Sequence, residues 1–180
     1  MRMRSDRSCL MIIDVQEALA PVMAEPRHVY RNCGLLLRAA QRLTIPTVFN
    51  EQYPKGLGHT VQELRDLAPQ APVLEKIHFS AADDHATLAH LRGLERPHIV
   101  MAGIEAHICV LQSALGLAEA GWSVFVVNDA CSSRQLDDQR LAMTRLTAAG
   151  VTVVSTEMVL FEWLNRAGTA EFKDVSQWVK

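Results

Sequence analysis

The sequence alternates short apolar runs with longer segments of helical periodicity, and this alternation restricts the fold more than any other feature. The apolar runs are continuous, which is typical of strands buried on both faces of a sheet. They predict strands at 9–13, 47–50, 73–75, 98–102, 123–127 and 151–155. The segments between them predict helices at 27–43, 83–91, 106–120, 137–149, 158–164 and 171–178. Parallel βαβ units follow, and with them an α/β fold: a doubly wound, Rossmann-like three-layer sandwich with a six-stranded parallel sheet.

Length and charge restrict the function classes. The chain has 180 residues, which predicts one domain over 1–180 and a core large enough to be stable without disulfides or metals. Its net charge of −2 argues against nucleic acid or a membrane surface as a partner. The apolar run after the first arginines spans only five residues and ends at Asp14, so we expect neither a signal peptide nor a membrane span.

The four cysteines, Cys9, Cys33, Cys109 and Cys131, are widely spaced and form no CxxC pair. This spacing predicts free thiols, a cytoplasmic location and no zinc site. A buried thiol most often acts as a small hydrophobic side chain, so a reactive cysteine must be distinguished by its local setting.

Three chemically distinct side chains occur at predicted strand ends. Asp14 ends the first strand, Lys76 follows the third, and Cys109 comes soon after the fourth. Two of them have an ordinary structural alternative. Asp14 could be a structural hydrogen-bond acceptor, and Lys76 could be a solvated surface residue. Ligands of doubly wound folds bind at the carboxyl ends of the strands, so we expect these three side chains to share one site.

Cys109 differs from the other cysteines in its position near the start of a predicted helix. The N–H groups and dipole of a helix start stabilise an anion, which predicts a lowered thiol pKa and a reactive thiolate. The same N–H groups could bind an oxyanion. Cys109 is therefore the candidate nucleophile, with Asp14 as its base and Lys76 as a stabilising cation.

Four motifs resemble those of the isochorismatase-like cysteine hydrolases, the superfamily of nicotinamidases and N-carbamoylsarcosine amidases. LMIIDVQ contains Asp14, EKIHFSA contains Lys76, and AGIEAHICV contains Cys109. The fourth motif, VVNDACSSR, contains Asp129, Ala130, Ser133 and Arg134. The resemblance extends over roughly residues 8 to 165. The EQYPKGLG loop resembles that of the short YcaC-like members.

The resemblance implies a catalytic triad of Asp14, Lys76 and Cys109. It implies a non-proline cis peptide bond between Ile104 and Glu105, and an oxyanion hole made by the N–H groups of Glu105 and Cys109. In the implied reaction Asp14 deprotonates the thiol, the sulfur attacks a carbonyl carbon, and water hydrolyses the resulting thioester.

The segment after the second strand departs from the nicotinamidase pattern. It lacks the Asp-x-His metal motif and has one histidine, His59, so we expect neither a metal nor another cofactor. The cysteine nucleophile favours a small amide or related acyl compound as substrate.

Four further residues are weaker candidates for the substrate pocket. Gln52 could bind a substrate amide, His78 could reach the cleft, and Tyr53 and Phe79 could form aromatic walls. Phe79 could equally be a core residue.

Two alternatives to a hydrolase remain open. The chain could be a catalytically silent binding or assembly module, since the resemblance allows large homo-oligomers. A thiol redox sensor would need a resolving cysteine beside Cys109. We expect a homo-oligomer, a dimer or larger, in either case.

Overall fold

The computed structural model describes residues 1–179, and its six strands form one parallel sheet in the order β3-β2-β1-β4-β5-β6. The strands are β1 (Ser8–Ile13), β2 (Thr47–Gln52), β3 (Val73–Lys76), β4 (His98–Ile104), β5 (Ser123–Ser132) and β6 (Thr152–Val154). The helices are α1 (Pro26–Arg42), α2 (Pro54–Leu57), α3 (Gln62–Arg65), α4 (His85–Gly93), α5 (Leu111–Glu119), α6 (Leu136–Ala148), α7 (Thr156–Leu164) and α8 (Ala170–Trp178).

Helices cover both faces of the sheet, which confirms the predicted doubly wound fold. Alternate residues of β1 contribute to different cores: Leu10 and Ile12 pack with α1 and α7, while Met11 and Ile13 pack with α4, α5 and α6. Side chains alternate between the faces of a strand, so a strand buried on both sides must be apolar throughout. This requirement explains the continuous apolar runs in the sequence.

The strand order reverses between β1 and β4. The chain builds outward from β1 to β3, then crosses back to place β4 on the other side of β1. Adjacent crossovers at such a switch point leave opposite faces of the sheet, which opens a crevice at the carboxyl ends of the two strands. Asp14 follows β1 directly, and the segment with Cys109 follows β4.

Some predicted boundaries are wrong. The predicted loop 51–58 begins inside β2, because Glu51 and Gln52 continue the pairing with Glu75 and Lys76 of β3. Most of the rest of that loop is the short helix α2. β5 also extends five residues beyond its predicted end, past the polar pair Asn128 and Asp129.

The predicted helix 106–120 is two elements. Residues Ala106–Val110 form a π-helical turn, and the α-helix α5 begins only at Leu111. A π-turn inserts an extra residue per turn, and such turns are frequent at functional sites. Cys109 lies within it.

Candidate active site

The carboxyl edge of the sheet brings three of the predicted residues into contact. Asp14 is the first residue after β1, Lys76 is the last residue of β3, and Cys109 lies in the π-helical turn after β4. The side chains of Asp14 and Lys76 have no solvent exposure, and Cys109 is 6% exposed. The three residues therefore lie at the base of the crevice that the strand order predicts.

A buried ion pair forms the base of the site. Lys76 Nζ donates to Asp14 Oδ2 at 2.7 Å and to Gln52 Oε1 at 2.8 Å. A buried ammonium is costly unless it is paired and hydrogen-bonded, and this one has both kinds of partner. Lys76 is thus held against Asp14, and the alternative of a solvated surface lysine is wrong.

The second oxygen of Asp14 is free to react. Across the described residues 1–179, Asp14 Oδ1 is buried and has no hydrogen-bond partner. The Cys109 thiol is close enough to this carboxylate for each group to affect the pKa of the other. Burial raises the pKa of the Asp14 carboxyl, while Lys76 and Cys109 act in the opposite direction. An unpartnered carboxylate oxygen beside a thiol is arranged to accept a proton.

The surroundings of the thiol favour its protonated form. Burial, followed by the negative charge of Asp14, raises the pKa of the Cys109 thiol to about 12, although Lys76 opposes the rise. The prediction of a lowered thiol pKa is therefore wrong. It relied on the start of an α-helix, whereas Cys109 lies in a π-helical turn and faces a carboxylate.

Gln52 lies in the site, and its side-chain amide bonds to protein groups through both its oxygen and its nitrogen. Its Oε1 accepts from Lys76, and its Nε2 donates to the Ile77 carbonyl at 2.7 Å. Gln16, in the segment after β1, supports it, because the Gln16 side chain bonds both the N–H and the carbonyl of Gln52. Gln52 therefore orients Lys76, and the contact of its amide with a substrate stays a prediction, since the second N–H of the amide is not used by these two bonds.

The other three predicted pocket residues lie on the surface around the site. Tyr53 is 52% and Phe79 is 55% exposed, and His78 is exposed as well. A surface cavity of about 390 Å3 adjoins Lys76 and is lined by Tyr53, His78 and Ile77 among others. Phe79 is not a core residue in this chain, so the ordinary alternative for it is wrong.

Glu51 and His59, in the segment where nicotinamidases carry metal ligands, are occupied with each other. His59 Nδ1 lies 3.0 Å from Glu51 Oε2, and Glu51 Oε1 accepts from the Thr60 N–H at 2.7 Å. Burial disfavours the charged carboxylate, but these bonds hold the pKa of Glu51 below its usual range. Within residues 1–179, no group of three or more histidine, cysteine, aspartate or glutamate side chains is arranged to hold a metal ion.

Contacts from the loop after β5 reach the nucleophile segment, and motif matching alone did not indicate them. The peptide bond between Ile104 and Glu105 is cis, and the Glu105 carboxylate accepts from the N–H of Arg134 at 3.1 Å and from its Nε at 3.0 Å. His107 Nδ1 lies 2.9 Å from the buried Ser133 Oγ. Polar residues directly after a buried strand were the available signal for these contacts.

Asp129, from the same motif, has a different role. Its Oδ1 accepts from the N–H and the hydroxyl of Thr156, at 2.7 and 2.9 Å, at the start of α7. Negative charge at the N-terminus of a helix is stabilising. Asp129 therefore anchors α7 to the sheet and takes no part in the site.

No helix among the described residues has the length and hydropathy needed to cross a membrane.

Comparison with known proteins agrees with the fold. The family model for the isochorismatase domain matches residues 8–158. Isochorismatase family protein 1B of Dictyostelium discoideum is 33% identical over 175 residues, which cover 94% of this chain and 84% of the relative.

Two solved structures have closely similar folds. A protein described as MAR1 ribonuclease from Caenorhabditis elegans superposes with a TM-score of 0.93 at 34% identity, over 99% of this chain and 92% of its own. The YcaC protein of Escherichia coli, described as an octameric hydrolase of unknown specificity, has a TM-score of 0.93 at 23% identity, over 99% and 90%. The matched domain model and the relatives together show that the chain belongs to the isochorismatase family and has its hydrolase fold.

Proposed function

We propose that this protein is a cysteine hydrolase of small amides or related acyl compounds, with Cys109 as the nucleophile. The observation that carries the proposal is the buried Asp14 carboxylate near the Cys109 thiol. Lys76 holds its Oδ2, and its Oδ1 has no hydrogen-bond partner among the described residues. A buried carboxylate oxygen without a partner is costly, so its retention here supports a role in proton transfer.

The arrangement supports one sequence of steps. Asp14 Oδ1 takes the thiol proton as Cys109 Sγ bonds to the carbonyl carbon, and the carbonyl oxygen becomes an oxyanion. We assign the oxyanion to the N–H groups of Glu105 and Cys109. The oxyanion collapses, the C–N or C–O bond breaks, and the leaving group takes the proton from Asp14. Water, deprotonated by Asp14, then releases the acid from the thioester and restores the thiol.

The raised thiol pKa determines when the proton moves. Because the thiol pKa is about 12, almost no free thiolate is present at neutral pH. We infer that proton transfer to Asp14 accompanies attack on the substrate. A thiol in this state reacts slowly with general oxidants and alkylating reagents, which argues against a redox sensor.

A screen of small amides and esters tests the proposal, with Cys109→Ala measured beside the original protein. We expect turnover in the original protein and its loss in Cys109→Ala. Cys9→Ala, which removes a thiol buried in β1, is the matched control and should keep its activity. Equal turnover in Cys109→Ala would remove Cys109 as the nucleophile.

A ribonuclease is the second candidate, and one relative favours it: the Caenorhabditis elegans structure is described as a ribonuclease. The net charge of −2 argues against strong binding of a phosphate backbone. Incubation with single-stranded RNA separates the two functions. Cleavage that disappears in Cys109→Ala would replace the amide proposal, whereas no cleavage beside amide turnover supports it.

The chain is also proposed to form a homo-oligomer through the apolar surface around the site. Ile77 and Phe79 are 70% and 55% exposed, and the YcaC relative is described as octameric. Light scattering should show an assembly that Ile77→Lys weakens. Leu141→Lys, at a position 69% exposed on α6, is the control: weakening of the assembly by that variant alone would assign the contact to α6.

A cytoplasmic location stays a prediction from the free thiols.

A further inference from the structure

The π-helical turn that carries Cys109 is stabilised largely by contacts with residues outside the turn. Within it the Glu105 carbonyl accepts from the N–H groups of Ile108, at 3.1 Å, and Val110, at 3.2 Å. π-helical backbone is rare and generally occurs as single turns, because its hydrogen bonding and packing are poorer than those of an α-helix. A turn of this kind needs external contacts if it is to hold one geometry.

Two contacts from one short segment meet this need. Ser133 and Arg134 directly follow β5, and they hold the first part of the turn at two points. Ser133 Oγ lies 2.9 Å from His107 Nδ1, and Arg134 bonds the Glu105 carboxylate through its backbone N–H and its Nε. Ser133 is fully buried and Glu105 is 7% exposed, whereas the Arg134 side chain is 60% exposed. The contact between His107 and Ser133 is therefore the better shielded of the two from competing water.

We propose that His107 and Ser133 are positioning residues for Cys109: their hydrogen bond, beside the Glu105–Arg134 ion pair, fixes the π-helical turn so that the Cys109 sulfur faces Asp14. This inference rests on the proposed function. His107 acts through the backbone, because side chains two residues apart on a helical turn point to different sides. It needs no contact with the thiol or the substrate.

The same atoms do not form a second nucleophilic site. His107 Nε2 lies 3.9 Å from Asp138 Oδ2, so Ser133, His107 and Asp138 superficially match a serine-histidine-aspartate arrangement. The aspartate distance exceeds that of a hydrogen bond. Ser133 has 0% exposure, so its hydroxyl cannot reach a substrate. The contact between His107 and Ser133 is therefore one of support.

Ser133→Ala and His107→Gln test the inference, with His107→Asn as the rescue. The Asn side-chain amide falls near the place of Nδ1 and can keep the bond to Ser133, whereas Gln extends past it. For Ser133→Ala and His107→Gln we expect kcat to fall by about 10- to 100-fold with KM little changed, because a misplaced nucleophile affects the chemical step. His107→Asn should recover most of kcat. Ser132→Ala removes the neighbouring buried hydroxyl, whose hydrogen bonds go to the Glu25 N–H and the Ser133 carbonyl, and serves as the matched control.

Alkylation by iodoacetamide supplies a readout that needs no substrate. When the turn loosens, Cys109 leaves the burial and the carboxylate that raise its pKa, so its alkylation at about pH 8 should become faster. Cys9, Cys33 and Cys131 in the same protein report global unfolding, and their rates should stay unchanged. Selective acceleration at Cys109 supports the inference even where no substrate has been found.

Three results would overturn the positioning role. One is unchanged kcat in both Ser133→Ala and His107→Gln, and another is failure of His107→Asn to recover kcat. The third is equal acceleration of alkylation at all four cysteines, which would mean that the bond only stabilises the fold. Loss of Cys109 as the nucleophile is separate, because it is detected by turnover in Cys109→Ala.

Discussion

Asp14 has a backbone conformation that few residues other than glycine adopt, with φ of 52°. Its N–H donates to the Asn50 carbonyl at 3.1 Å, so the chain still pairs with β2 while it turns away from the strand direction. Left-handed backbone in a residue with a side chain costs about 1–2 kcal/mol, and such residues are concentrated at functional sites. The strain at Asp14 directs a carboxylate toward Lys76 and Cys109.

Asp14→Asn should slow substrate turnover and accelerate the alkylation of Cys109. The amide cannot accept the thiol proton, so turnover should fall by at least about 100-fold. The negative charge that raises the Cys109 pKa is also removed while Lys76 stays nearby, so alkylation of Cys109 by iodoacetamide should become faster. Asp129→Asn, at a carboxylate that only anchors α7, should leave both rates close to those of the original protein.

A parallel fall in both rates would contradict this assignment. It would indicate that Asp14 maintains the thiol geometry and does not act as a base. Peptide mapping by mass spectrometry measures the alkylation at each cysteine separately.

The sequence located the main side chains of the site because each follows a recognisable apolar run. Asp14, Lys76 and Cys109 were found in this way, and the strand order brings them together. The bond between Gln52 and Lys76 could not be predicted, because Gln52 is a polar residue beyond the predicted end of β2 and its place in the strand is shown only by its pairing with Lys76. The raised pKa of Cys109 was also hidden, since it depends on contacts across the sheet.

The close approach of β1 and β4 explains a glycine at the end of β4. Gly103 has φ of 131°, and a Cβ built there would lie 2.0 Å from the Ile13 carbonyl oxygen. The two residues are paired in the register of the strands, directly before Asp14 and the π-helical turn. Only glycine allows these two segments to come together at the switch point.

Gly103→Ala should lower the free energy of unfolding by about 3 kcal/mol or more, from the forbidden backbone region and the contact with Ile13. Urea denaturation measures this change. Gly93→Ala is the control, because a Cβ at the end of α4 would meet nothing within 4 Å. We expect that control to differ from the original protein by less than about 1 kcal/mol. Equal stability of the two variants would show that β1 and β4 can separate at this point.

The helices and strands were predicted in their order and type, while two kinds of detail were not. The π-helical turn was merged with α5, because apolar periodicity does not reveal the hydrogen-bond pattern of a single turn. The short helices α2 and α3 were missed, because each spans only four residues. Such short helices depend on tertiary packing rather than on the helix propensity of their residues.

Buried thiols make the free energy of unfolding depend on pH in the alkaline range. The pKa of Cys9 is raised to about 12 by burial, and burial also raises that of Cys131 to about 12. The unfolded chain releases these protons from about pH 9 upward, whereas the folded chain keeps them until about pH 12. The unfolded state then binds fewer protons than the folded state, so the free energy of unfolding falls as pH rises.

Each such thiol should contribute a loss of about 1.4 kcal/mol per pH unit once the unfolded chain is deprotonated. Urea denaturation between about pH 8 and pH 10.5 measures the slope. Cys9→Ala removes one of these thiols and should reduce the slope by one proton, whatever its effect on stability at neutral pH. An unchanged slope in Cys9→Ala would mean that this thiol has an ordinary pKa in the folded protein.

The central claim is that Cys109 attacks an acyl carbon with the help of Asp14, and trapping the acyl group tests it most directly. We would treat the protein with p-nitrophenyl acetate, quench it in acid, and locate the acetyl group by mass spectrometry of peptides. We expect a transient acetyl thioester on Cys109, absent in Cys109→Ala and formed more slowly in Asp14→Asn. Acetylation elsewhere in the chain at the same rate in all three proteins, with none on Cys109, would contradict it.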